Sequence, residues 1–143
     1  MHRVDKMTEN QFTDADLNRV IKSTFVKKVD FHHAIGSTNQ HAMELAGNPG
    51  TNAPLLILAE SQTNGRGRGA NRWWADTGAL TFTLLMDPGI PRRHLPQASL
   101  TVGLAVCEAI EGFIDQADLK LKWPNDIFCR DKKLCGILIE LPK

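Results

Sequence analysis

The sequence carries almost no net charge, few cysteines and no long apolar run. Lysine and arginine number 17 against 16 aspartate and glutamate, a formal net charge of +1. A polybasic field that could hold a nucleic-acid backbone across the whole surface is thereby excluded. The longest apolar candidate, residues 100–114, is interrupted by Glu108 and Glu111 and falls short of the roughly 20 residues that a membrane-spanning helix needs. The first residues, MHRVDKMTENQF, hold no apolar signal region, so a cytoplasmic location and no membrane partner are expected. Cys107, Cys129 and Cys135 are odd in number and lack the C-x-x-C spacing of a metal site; they read as small, reduced packing residues. Among five histidines, His32 and His33 are adjacent. On a strand they face opposite ways, which argues against joint ligation of one metal.

What is present is an ordinary soluble composition: 143 residues, 42% hydrophobic and 23% charged, enough for one compact domain with a real core. There is no internal repeat and no low-complexity tract. Thr13 or Asp14 caps a short helix whose Leu17, Val20 and Ile21 share one stripe. Residues 26–33 read as a strand. Ser37 then caps a helix through Ala46 with Gly47 as its stop. Residues 54–60, nearly all apolar, fit a buried strand, and residues 79–86 read as another. Pro96 suits a helix start, and Leu100, Leu104, Cys107, Ile110 and Phe113 give that helix a wide apolar face. Leu119, Leu121 and Trp123 alternate with Lys120 and Lys122, so one strand face is apolar and the other cationic, with Trp123 assigned to the core. Pro124 ends or bends that strand. Residues 127–130 and 134–141 read as a hairpin turning at Asp131-Lys132. Pooled, these elements predict an α+β fold with a mixed or largely antiparallel sheet flanked by helices.

Between the second and third strands lies a long loop, SQTNGRGRGANRWW at its start. Gly65, Gly67 and Ala70 match a loose dinucleotide fingerprint. That fingerprint requires a helix opening at the glycines, and the residues after Ala70 are too few and carry no cap or helical stripe. A Walker loop is absent, since no Gly-Lys-Ser/Thr follows. An arginine–glycine contact to nucleic acid, with Trp73 and Trp74 as stacking platforms, lacks a matching basic surface elsewhere. A solvated surface loop is the plainest alternative, weakened by two tryptophans that need burial or a use. A small anionic ligand fits better: arginine–phosphate contacts are charge-assisted and often bidentate, and glycines allow backbone amides to come close. Free, such a loop is expected to be mobile, folding over its ligand when an anion arrives.

GRGRGANRW, then KWPNDI, then KLCGILIE resembles the biotin–protein ligases, whose pattern is GRGR-x-G-R/K-x-W, KWPND and K-x-x-G-I-L-x-E. The Ser37-Thr38-Asn39 helix start and Gln62 also match that family, and the likeness spans residues 31–141. It implies a catalytic domain resembling the class II tRNA synthetases and a two-step ligation. The biotin carboxylate attacks the α-phosphate of MgATP to give biotinyl-5′-AMP and pyrophosphate. A lysine of a biotin carboxyl carrier domain, from acetyl-CoA carboxylase or a related carboxylase, then takes the acyl group and releases AMP. Two anions must meet, so cations have to neutralise them.

On that resemblance, Lys133 bridges the biotin carboxylate and the α-phosphate, and Arg66 and Arg68 hold phosphates and close the site. Arg72, Trp73 and Lys122 complete the ATP side, with Trp73 as a wall. Lys122 and Asp126 belong to the catalytic group, and Asp126 either orients Mg2+ or accepts a proton. Ser37, Thr38 and Gln62 hydrogen-bond the ureido ring, while Gly65 and Gly136 let the chain approach biotin. Two departures stand out: Ala70 replaces the family's second loop glycine, and Asn71 the basic residue after it. The chain ends at Lys143, so residues 26–143 are expected to form the N-terminal portion of the catalytic domain. Residues 1–25 are expected to be an extension with a short helix and no DNA-binding domain. A homodimer is left open. The alternatives to a biotin ligase are a non-catalytic biotin- or adenylate-binding remnant and a lipoate or octanoyl ligase on the same fold.

Overall fold

The computed structural model describes residues 11–75, 78–114 and 119–142. The first ten positions of the expected extension, and positions 76 and 77 of the long loop, lie outside the described residues. The chain divides into two compact units. One is built from residues up to 66 together with 71–87, the other chiefly from residues 88–141 and the loop tip 67–70.

In the first unit, helix α1 (Asp14–Ser23) starts at a capping box. The Thr13 hydroxyl accepts from the Asp16 amide at 3.3 Å, and the Asp16 carboxylate accepts from the Thr13 amide at 3.0 Å. Such a box satisfies two amides that the helix leaves without partners. Strand β1 (Lys28–His32) runs parallel to β2 (Leu55–Ala59), which pairs antiparallel with β3 (Thr81–Leu85). A parallel pair needs a crossover, and helix α2 (Thr38–Ala46) supplies it. The helix begins at Ser37, whose hydroxyl accepts from the Gln40 amide at 3.3 Å, and stops at Gly47. Its buried Ala42 meets Leu55 and Ile57 of β2, with Leu45 and Leu85 packed around them. That contact is the heart of this unit, and Ile57 is fully buried in it.

In the second unit a short 3-10 turn (Arg92–His94) leads into α3 (Leu95–Glu111), with Pro96 in its first turn where a missing amide costs nothing. Strands β4 (Leu119–Lys122), β5 (Asp126–Cys129) and β6 (Lys132–Gly136) form an antiparallel meander. The helix lies close to this sheet at Gly103, where an added Cβ would stand 2.5 Å from Leu121 Cδ1 and 3.5 Å from Ile137 Cδ1. Among the described residues, no helix is long and apolar enough to cross a membrane.

Three local expectations are corrected. Trp123 is 72% exposed rather than core, because β4 ends at Lys122 and the turn 123–125 carries the indole off the sheet. Leu104 and Phe113 are exposed. The approach at Gly103 fixes the rotation of α3, and position 104 lies about 100° around the helix from it. The hairpin turns at Arg130-Asp131 rather than Asp131-Lys132, with Arg130 in the left-handed region at φ 55°, and its second strand ends at Gly136.

Candidate active site

The first unit gathers one set of the expected residues around the start of α2. Ile35 bridges to Gln62 as a parallel pair, which fixes where the Gln62 side chain begins. Gln62 Oε1 accepts from the Thr38 amide at 2.8 Å and from the Thr38 hydroxyl at 3.1 Å. The hydroxyl of Thr83 on β3 donates to Thr38 Oγ1 at 2.9 Å. Ser37 and Thr38 are both buried. The result is a polar chain, Thr83–Thr38–Gln62, running from the sheet across the helix N-terminus into the long loop. Gly65 lies three residues beyond Gln62. A Cβ there would lie 2.5 Å from the Trp73 carbonyl oxygen and 2.9 Å from Gln62 Nε2, so only glycine fits between the two walls of the loop.

Those walls are tied together. The Trp73 amide donates to the Gly65 carbonyl at 2.9 Å, and Arg66 and Arg72 face each other as an antiparallel pair. The base of the long loop is thus a closed stem. Arg66 Nη1 donates to Gln40 Oε1 at 3.1 Å, and Arg72 reaches Asn64 Oδ1 at 3.4 Å with its guanidinium 5.2 Å from the exposed Trp74 ring. At the tip, Gly69 takes φ +62°. The left-handed position therefore falls on a glycine, and Ala70 is spared the conformation it would adopt only with strain. Arg68, also at the tip, is exposed.

The second unit gathers the other set on one face of its meander. Directly paired residues share a face, so Lys122 and Asp126 lie together, as do Lys120 and Phe128. Between β5 and β6 the register shifts: Ile127 pairs with Cys135, but Phe128 pairs with Lys133, and Leu134 is passed over. In a regular ladder Lys133 would oppose Cys129 and point to the face of Ile127. The bulge turns it to the other side. There its ammonium lies 2.8 Å from Asp126 Oδ1, an ionic contact to a buried oxygen. Gly136 pairs with Asp126 on the same face. Lys122 Nζ sits 5.1 Å from the Phe128 ring centroid, and an open depression of about 380 Å³ is bordered by Lys120, Leu121, Lys122, Phe128 and Arg130, with Asp131 as its one carboxylate. A face with this many cations suits phosphate. Asp126 offers one carboxylate on this face, with one oxygen held by Lys133, and Mg2+ takes one or two carboxylates together with phosphate oxygens.

All three cysteines are free and half-buried. Burial pushes the Cys135 thiol up, Cys107 adds to that, and Lys133 opposes it, which keeps the thiol protonated and inert. In the first unit a second cluster joins Asp30, His32 and His41. Burial would raise the Asp30 carboxyl, but contacts with His41 and His32 outweigh it and hold the group below its ordinary value. His33 turns the other way, 3.0 Å from Glu60, whose carboxyl it lowers. Thr83, Gln40 and Asn64, which hold Thr38, Arg66 and Arg72, were not singled out from the sequence. Nothing local marks them, apart from the alternation that sets Thr81 and Thr83 on one face of β3.

A sequence-family model described as the Biotin/lipoate A/B protein ligase family matches residues 32–143. The chain belongs to that family. It is 40% identical over 115 residues to the bifunctional ligase/repressor BirA of Bacillus subtilis (strain 168), covering 78% of this chain and 34% of that protein. It is 34% identical over 120 residues to the biotin--[acetyl-CoA-carboxylase] ligase of Mycobacterium tuberculosis, covering 80% of this chain and 45% of that protein. Among solved structures, biotin protein ligase from Aquifex aeolicus in complex with biotin and ATP superposes with a TM-score of 0.71 at 34% identity, covering 82% of this chain and 48% of that one. The fold is thus that of biotin protein ligase catalytic domains. The chain spans between about a third and a half of the length of these relatives.

Proposed function

We propose that residues 26–143 form the N-terminal portion of a biotin–protein ligase catalytic domain that activates biotin with ATP and passes it to a lysine of a biotin carboxyl carrier domain. The observation that carries this reading is the Thr83–Thr38–Gln62 chain beside Gly65. It is a pre-ordered set of hydrogen-bonding groups suited to a small ring with both donors and acceptors, such as the ureido ring of biotin.

In the first step a carboxylate oxygen of biotin attacks the α-phosphorus. The bond to the bridging oxygen breaks, and pyrophosphate leaves with the electron pair. Lys133 steadies the carboxylate and the pentavalent α-phosphate, and Arg66, Arg68 and Arg72 bind phosphate oxygens. Lys122 offsets the charge that develops on them, and Trp73 walls the nucleotide side. Each such donor lowers the barrier because it is fixed before charge develops. Asp126 orients the Lys133 ammonium. In the second step the neutral amine of the carrier lysine attacks the acyl carbon, AMP departs, and the amine gives up one proton. Gly65 and Gly136 allow the backbone to lie against biotin. A cytoplasmic location suits such a carrier, and a homodimer is compatible with this reading.

Biotin is favoured over lipoate by the names of the relatives, although the family description covers both. Incubation with MgATP, a carrier domain and either labelled biotin or lipoate tests this. Labelling of the carrier with biotin alone is expected. Preference for lipoate would make the chain a lipoate ligase, and biotin binding without transfer would make it a binding remnant.

A further inference from the structure

The cluster of Asp30, His32 and His41 lies outside everything assigned above. Asp30 and His32 are two apart on β1 and so project from one face of the strand. His41 reaches them from the first turn of α2. His32 Nε2 is 3.2 Å from Asp30 Oδ1, and His41 Nε2 is 3.0 Å from Asp30 Oδ2. The ligand atoms of the three side chains all lie within 4.8 Å of one another.

Two features distinguish this from an ordinary Asp–His contact. The Nε2 of His32 is buried, and its contact with Asp30 Oδ1 at 3.2 Å is poorly aligned for a hydrogen bond. A buried nitrogen with only a poorly aligned partner leaves room for a better one. The spacing also suits a common centre. Ligand atoms held about 2.0–2.1 Å from a tetrahedral ion stand roughly 3.4 Å apart, and one ligand atom from each of the three side chains lies within 4.8 Å of the other two.

We propose that Asp30, His32 and His41 bind one divalent transition-metal ion of the zinc class, fastening β1 to α2, with the remaining position open to water. Two imidazoles and one carboxylate select such an ion over magnesium or calcium, which take oxygen ligands. Each of the three side chains is slightly over a quarter exposed, so an ion can enter from solvent. Glu44 lies 3.9 Å from His41 Nδ1, outside hydrogen-bond distance, and would have to turn toward the ring to act as the outer carboxylate that commonly orients a metal-bound imidazole. The ion would hold the helix whose cap, Ser37, belongs to the candidate site, without touching reacting atoms.

The test is titration of the chelator-treated full chain with Zn2+ and with Co2+ at neutral pH. One equivalent of Zn2+ is expected to bind. His32→Gln and His41→Gln are each expected to weaken it by more than about 100-fold, beyond the roughly 10–100-fold of an outer-shell change. Glu44→Gln should fall within that lesser range, and His33→Gln should change nothing. Should the variants misfold, diamagnetic Zn2+ added to the unaltered protein supplies the answer by proton NMR. The ring protons of His32 and His41 should shift far more than those of His33 and His94. Absence of saturable binding, thiolate bands in the Co2+ spectrum, or shifts confined to other histidines would overturn the proposal.

Discussion

Lys133 meets Asp126 at 2.8 Å because Leu134 is left out of the ladder between β5 and β6. One unpaired residue reverses the face of the side chains between it and the hairpin turn, and here it carries an ammonium to the side that holds Lys122, Phe128 and Gly136. The pairing predicts that Lys133→Gln lowers biotin-dependent pyrophosphate release about 10²–10³-fold, the usual loss when one pre-oriented donor to a developing charge is removed. Asp126→Asn should cost less, since the ammonium remains and only its orientation is relaxed. Initial rates of the two variants, with circular dichroism to confirm the fold, decide the order.

Gly65 is the tightest point of the loop stem. Gly65→Ala is expected to push the Trp73 strand of the stem away from Gln62, because the new methyl would lie 2.5 Å from a backbone oxygen that cannot rotate aside. Biotin affinity measured by calorimetry should fall at least tenfold. The thermal midpoint should change little, since no stem residue belongs to the Ala42–Leu55–Ile57 core cluster. An unchanged affinity would remove Gly65 from the site.

Thr38→Val keeps the shape of the side chain but strips the donor that reaches Gln62 and the acceptor that Thr83 uses. Leaving a part-buried group unsatisfied costs about 1–3 kcal/mol, so a lower denaturation midpoint is expected together with weaker biotin binding. Thr83→Val should reproduce part of the stability loss. A larger effect on binding for Thr83→Val than for Thr38→Val would contradict the order of the chain.

The α1 capping box titrates. Hydrogen bonds from the Thr13 side chain and then its backbone hold the Asp16 carboxyl below its ordinary value, against a smaller effect of burial. A depressed folded value means that the box contributes above the ordinary aspartate range, near 3.9, and is lost as pH falls through the lowered one. Amide exchange of α1 should therefore speed up first at acid pH, ahead of β2, and Asp16→Asn should produce that fraying at neutral pH. Equal exchange of α1 in both proteins would count against it.

The N-termini of α1 and α2 and their caps, Thr13 and Ser37, were legible because capping is a local chemistry written in two or three neighbouring residues. The strand at 54–60 was legible because continuous apolar character marks a strand buried on both faces. Trp123 was misplaced because alternation gives the period of a strand but not where it stops. The register of β5 on β6 was out of reach for a different reason. A bulge is chosen by the packing of both strands, and Leu134 looks no different from a paired residue. The Asp30–His32–His41 cluster needed the parallel crossover to bring a helix over its own strand, so adjacent histidines drew attention while the pair nine positions apart did not.

The central claim is that this chain's own cations activate biotin with ATP. Pyrophosphate release from the full chain with MgATP, measured with and without biotin, tests it most directly. The account predicts release only when biotin is present, abolished by Lys133→Gln. Release independent of biotin, or full release by the Lys133→Gln variant, would contradict it.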